Sequence, residues 1–269
     1  MSTDRAVDEP AGVGQVWRID TAAWWSGHPM TPRGVDPQVF LDEQLITEWV
    51  PTEPASEWMC RREMTGRRVW LAGSEAAARA AGVDRAPMWP VGQWRAPFGD
   101  YFAVPDRRPA APPDGWWSFP TPEFLAGLPR TRAALDTRLR ADSAASGGVG
   151  NDPFGLARRT LGCGRVTVDL RGPLLEVVDS LSGVRRRPGP AGTVLYTADV
   201  GDVRSEMLVD ADTGDFRGSR DVLLRPDASG CAAGTTVSAT SVRTTVVDRL
   251  GGGPEPHGAE RALWPGLPS

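Results

Sequence analysis

Oxygen-, sulfur- and imidazole-bearing side chains decide which chemistries this chain can hold, because metal binding and hydrolysis each need such groups at set spacings. Asp210, Asp212, Asp215 and Asp221 cluster between two apolar runs, with Asp210 and Asp221 at the first and twelfth positions of a loop. A calcium loop puts a ligand at position five and glycine at position six, whereas here Gly214 precedes Asp215. The order is reversed, so the stretch reads as a hairpin turn: Gly214 supplies a positive φ, and Asp and Thr side chains bond nearby amides. Hydrolytic triads need a histidine. His28 sits in a Gly-His-Pro turn and His257 close to the C-terminus, and no Gly-x-Ser-x-Gly elbow occurs. Cys60, Cys163 and Cys231 are too scattered for a zinc site or a disulfide framework. A single Cys163 to Cys231 bridge and three buried thiols both satisfy them. All 30 basic residues are Arg, which removes Schiff-base and phosphate-loop lysine chemistry. No catalytic residue, metal ligand or cofactor is assigned, and the chain is read as non-enzymatic.

Tryptophan is the positive anomaly, with 11 copies. Trp17, Trp49, Trp58 and Trp70 fall in strand-like stretches and are expected in a sheet core, where each brings a large apolar area. Trp24, Trp25, Trp89, Trp94, Trp116 and Trp117 have no strand periodicity to account for them and are the candidate ligand-facing residues. The Arg pairs 61–62, 67–68 and 158–159 and the triplet 185–187 are expected on solvated faces.

The elements that must position these residues follow from periodicity. GQVWRIDTAA (14–23), QLITEWV (44–50) and SEWMCRREMTGRRVWL (56–71) alternate as strands, the last broken at Gly66 by a turn or bulge. A short helix is expected over 74–81, with Ser74 as its cap. Residues 83–118 are rich in Pro and Trp without periodicity and read as a long ordered loop lying over something. Thr121-Pro122-Glu123 starts a turn of helix through Leu128, 130–145 carries Leu135 and Leu139 one turn apart, and Asp152-Pro153 caps a helix ending at Gly162. GPLLEVVDSL (172–181) has Leu174, Leu175, Val178 and Leu181 at helical spacing. TVLYTADV (193–200), the hairpin across 204–226 and the β-branched 235–250 return to strands. Strands, helices, then strands is the order of an α+β fold: an antiparallel sheet shared by both ends of the chain, with the helices of the middle on one face. The expected division is a loose 1–12, one domain over 13–250 and a flexible tail over 251–269.

The length of 269 residues, 40% hydrophobic and 24% charged, suits a globule with a real core. A net charge of −4 argues against a nucleic-acid surface. No stretch approaches the roughly 18 apolar residues of a membrane span, and MSTDRAVDEPAGVG lacks the basic and apolar regions of a signal peptide. As written, the chain reads as cytoplasmic.

The succession GQVWRI, EWV, a Pro-rich passage, TPEFLAGLP, RAALDTRLR, LLEVVDSLSGV, a hairpin around DADTG and a closing SVRTTVVDR resembles a family of uncharacterised actinobacterial proteins over about residues 13–250. That resemblance implies a membrane-anchored, extracytoplasmic domain encoded near extracytoplasmic-function sigma factors. The implied fold is similar to the LolA-type lipoprotein carriers and the periplasmic regulator of the sigma-E response: a strongly curved antiparallel half-barrel with helices packed on its concave face. This chain departs from the family in having no span. The expected function is a binding or sensing domain for a lipid-like or hydrophobic peptide ligand. Two other readings stand beside it: a cell-wall or carbohydrate module using exposed Trp, and an interaction domain for a regulatory protein.

Overall fold

The computed structural model describes residues 12, 14–27, 37–53, 56–82, 90–101, 115–147, 151–253, 264 and 267. Three long strands open the chain, β1 (Val16–Gly27), β2 (Val39–Pro51) and β3 (Glu57–Ala72), followed by helix α1 (Glu75–Ala80) and strand β4 (Gly92–Pro97). Helices α2 (Pro122–Gly127), α3 (Arg132–Ser146), α4 (Pro153–Gly162) and α5 (Val168–Ser180) form the middle. Strands β5 (Arg185–Pro188), β6 (Thr193–Val200), β7 (Val203–Asp210), β8 (Phe216–Leu223) and β9 (Thr236–Val247) close it. Among the described residues, nine strands join one open sheet in the order β4-β3-β2-β1-β9-β8-β7-β6-β5, antiparallel throughout. The N- and C-terminal groups of strands meet where β1 pairs β9, from Val16 opposite Val247 to Trp25 opposite Ser238.

The helices keep to one face because period-2 alternation puts apolar residues there. Tyr196, Ala198, Met207 and Val209 point into the cluster formed by Leu135, Leu139, Leu156, Leu161, Leu170 and Leu174. Thr121 and Asp152 cap α2 and α4 by accepting from Phe124 N and Gly155 N, with Pro at the first helical position in each. The opposite face carries Trp24, Leu41, Leu208 and Ala239, and Trp264 joins them. Although it lies in the segment expected to be a loose tail, Trp264 is buried, and its Nε1 donates to the Thr240 carbonyl at 2.9 Å.

Three elements differ from expectation. Helix α5 begins at Val168, four residues before the Gly172-Pro173 pair that reads as a start, and it carries Pro173 inside. Burial of Leu170 and Leu174 on the helical core outweighs the backbone hydrogen bond that Pro173 forfeits. Residues 92–97, within the stretch read as loop, and 185–188, which carry the Arg triplet expected on a solvated face, are the edge strands β4 and β5. An edge accepts Pro97 and Pro188 because half of its backbone groups need no partner. Gly66 is a bulge within a continuous β3, where the β2 register shifts between Asp42 and Gln44. The turn after β7 is as expected: Gly214 has φ +73°, and Asp210 Oδ1 accepts from the Asp212 and Thr213 amides. Arg67 and Arg68, expected on a solvated face, instead pair with Glu43 and Asp42.

Candidate functional site

Between the sheet and α4 lies a cleft of about 380 Å³. Its floor follows from strand register. Ile46, Glu48 and Val50 of β2 share a face with Trp58, Cys60 and Arg62 of β3, since Glu48 stands opposite Cys60 and Ile46 opposite Arg62. Thr21 and Trp25 of β1, Thr240 and Val242 of β9, and Phe216 and Ser219 of β8 extend that surface. The roof is the end of α4 with Cys163 and Arg165, together with the segment Ser118–Pro120, whose Phe119 stacks on Trp58 at 6.4 Å. Of the stretch 83–118 expected to lie over something, Tyr101 and Ser118 border this cleft. A second void, bordered by Gly164 and Arg171, is about 30 Å³, room for a water molecule only.

Glycines set how close the roof comes. Gly164, at φ +71°, places the α4–α5 connection so near the sheet that a β-carbon would meet Thr244 Oγ1 and lie 3.1 Å from Ile19 Cγ1. Gly99, at φ +73°, leaves only 2.6 Å between such a carbon and the Trp58 ring. Trp58 is thereby held between Gly99, Phe119 and the Arg165 guanidinium, which lies 4.9 Å from its ring centroid.

The electrostatics are uneven. Arg158 donates to both carboxylate oxygens of Asp221 (2.7 and 3.3 Å), which also accepts from Ser205 and Ser238 and so ties α4 to three strands. Arg159 donates to Ser118 Oγ at 2.7 Å and Asn151 Oδ1 at 2.8 Å. Burial and the neighbouring Arg158 charge lower its pKa. Glu48 borders the cleft and is partly buried. Burial pushes its carboxyl up, and the charges of Arg165 and Arg62 pull it partly back. The Cys60 thiol is pushed up to about 12 by burial and by Glu48. Cys163 and Tyr101 are also raised, burial being the main cause in each.

The five described candidate tryptophans do not assemble into one site. Trp24 and Trp25 are strand residues of β1, so they point to opposite faces: Trp25 lines the cleft beneath Arg62, and Trp24 is buried on the far side. Trp94 is on edge strand β4, packed against the cluster of Ala23, Ile46 and Cys60. Trp116 and Trp117 pack into the helical core, and Trp117 Nε1 donates to Asp142 at 2.7 Å. Trp89 lies outside the described residues, as do His28 and His257. Trp49 and Trp58 are buried as expected of core residues, whereas Trp17 and Trp70 are half-buried. All three cysteines are free thiols, so Cys163 and Cys231 form no bridge. Among the described residues no group of acids, cysteines and histidines is gathered to hold a metal, and no helix is long and apolar enough to cross a membrane.

Sequence reasoning missed Glu48 and Arg165. A signal for Glu48 was present: in QLITEWV it shares parity with Ile46 and Val50, a carboxylate in an apolar row. Arg165 sits in a connector, where period carries no information. No protein-family model matches the chain, and no curated protein matches it either.

Proposed function

We propose that this chain is a non-enzymatic binding or sensing domain, which takes a hydrophobic ligand into the cleft between the sheet and α4. The observation that carries the reading is the cleft itself: about 380 Å³ floored by Trp25, Ile46, Val50, Trp58 and Val242, beside a core of packed helices. That volume is near the lower end of the roughly 300–1,000 Å³ of small-molecule sites, which suits a single-chain ligand better than a two-chain lipid. In this reading the sheet is a half-barrel of the carrier type, and α4 with residues 118–120 forms its lid. The two thiols bordering the cleft favour binding over thiol catalysis, since a group held near pKa 12, as Cys60 is, supplies almost no thiolate at neutral pH. A link to envelope or sigma-factor signalling would make the bound state the signal.

An aromatic carbohydrate platform has less support, because Trp24 and Trp117 are 3% and 0% exposed and offer no face to a sugar. The test is titration with a neutral apolar probe, 1-dodecanol, followed by intrinsic tryptophan emission. Saturable one-to-one binding that is lost in Ile46→Trp, which fills the floor, is the expected result. Absence of saturation in the wild-type chain overturns the reading, and native mass spectrometry of the purified chain provides a second check through any co-purifying molecule.

A further inference from the structure

Four guanidiniums border the cleft, and they differ in how their hydrogen bonds are spent. Arg158 is matched by a carboxylate, and Arg159 by two neutral acceptors. Arg165 is different. It is only 8% exposed, yet among the described residues a single acceptor reaches it, the Pro120 carbonyl at 2.8 Å from Nη2. Its Nε and Nη1 have no hydrogen-bond partner among the described residues. The Trp58 ring beneath it adds another buried donor, Nε1, which also lacks one.

Buried donors on a permanent cation are costly when left open, because the group gives up its hydration without replacement. Stacking on Trp58 offsets part of that cost but fills no N–H. Glu48 acts on Arg165 through space, but among the described residues no carboxylate oxygen is hydrogen-bonded to its guanidinium.

We infer that Arg165 is a head-group anchor, taking an oxyanion, carboxylate or phosphate, at the end of the single-chain apolar ligand that the cleft receives. This inference rests on the cleft reading above and deepens it. The apolar chain lies along Ile46, Val50 and Val242, while the anion accepts from the open edges of Arg165, with Trp58 Nε1 as the neighbouring donor. Neutralisation needs a negative charge rather than a polar group, which separates acids from alcohols of equal length.

The experiment compares dodecanoate, dodecyl phosphate and 1-dodecanol by calorimetry on the full chain stripped of bound amphiphile, all at one ionic strength and below micelle formation. A charge-assisted hydrogen bond in a closed site is expected to tighten at least one of the two anions about ten-fold or more over the alcohol. The better of the two anions identifies the head group. In Arg165→Gln the ratio of anion to dodecanol affinity is expected to fall to about one; the ratio within the variant is the readout, because Arg165 also packs on Trp58 of the floor. If wild-type protein binds all three ligands equally, the anchor is refuted and the apolar cleft stands. If it binds none, the cleft reading itself fails and the anchor goes with it. Should Arg165→Gln not fold, the wild-type comparison still decides, and Arg165→Lys is expected to keep a reduced preference by retaining the charge.

Discussion

Gly164 sets the depth of the cleft roof, so replacing it with alanine tests the geometry directly. Two costs add. An L-residue at φ +71° pays roughly 1–2 kcal/mol for the left-handed backbone. The new methyl, pressed on Thr244 Oγ1 and 3.1 Å from Ile19 Cγ1, adds about 1–3 kcal/mol of overpacking, because Ile19 is buried and cannot swing away. Gly66→Ala isolates the first cost: its φ is +80°, and no atom lies within 4 Å of its would-be β-carbon. Urea unfolding is the assay. Gly164→Ala is expected to lose about 3 kcal/mol, lowering the midpoint by about 1 M, while Gly66→Ala loses only the backbone share. Adding Thr244→Ala to Gly164→Ala should restore about 1 kcal/mol relative to additivity by removing one of the two contacts. A Gly164→Ala effect equal to that of Gly66→Ala, or strict additivity with Thr244→Ala, refutes the close approach.

Asp221→Ala removes the acceptor that fastens α4 to three strands; a double-mutant cycle with Arg158→Ala should give a coupling of about 1–3 kcal/mol, and a value near zero would mean a surface-like pair. Glu48 has a raised folded-state pKa, so its protonated form contributes stability that is fully present below the ordinary carboxylate pKa and is lost as pH rises through the folded value. Glu48→Gln, which leaves Arg165, Arg62, Cys60, Cys163 and Tyr101 in place around it, should therefore gain on wild type as pH rises from about 4 to 7; a constant gap in thermal midpoint would remove the assigned burial cost. With its thiol held near 12, Cys60 should react with iodoacetamide at pH 8 on the order of 10³-fold more slowly in the native chain than in urea, and equal rates would overturn its placement.

Periodicity made most of the frame readable. The alternation in 14–23, 44–50 and 56–71, the Pro-initiated helices after Thr121 and Asp152, and the Asp210–Asp215 turn all reappear, because each is set by contacts within a few residues. The edge strands did not: RRRP and GQWRAP have no apolar alternation, and they are strands only because β6 and β3 offer them unpaired backbone. Trp24 and Trp25 show no strand periodicity, because adjacent tryptophans break a pattern in which one face must be polar. With both faces of the sheet covered there, that rule does not apply.

By itself, then, the amino-acid order determined an α+β chain whose two ends are strands and whose middle is helical, along with the turn and cap chemistry that divides them. Tertiary structure alone decided that β1 lies against β9, and that Glu48 of β2, Trp58 of β3 and Arg165 of the α4–α5 connection border one cleft. The physical reason is range. Caps, turns and alternation are settled by neighbours along the chain, whereas charge, burial and open hydrogen bonds at a site depend on segments more than 100 residues apart, such as Trp58 and Arg165.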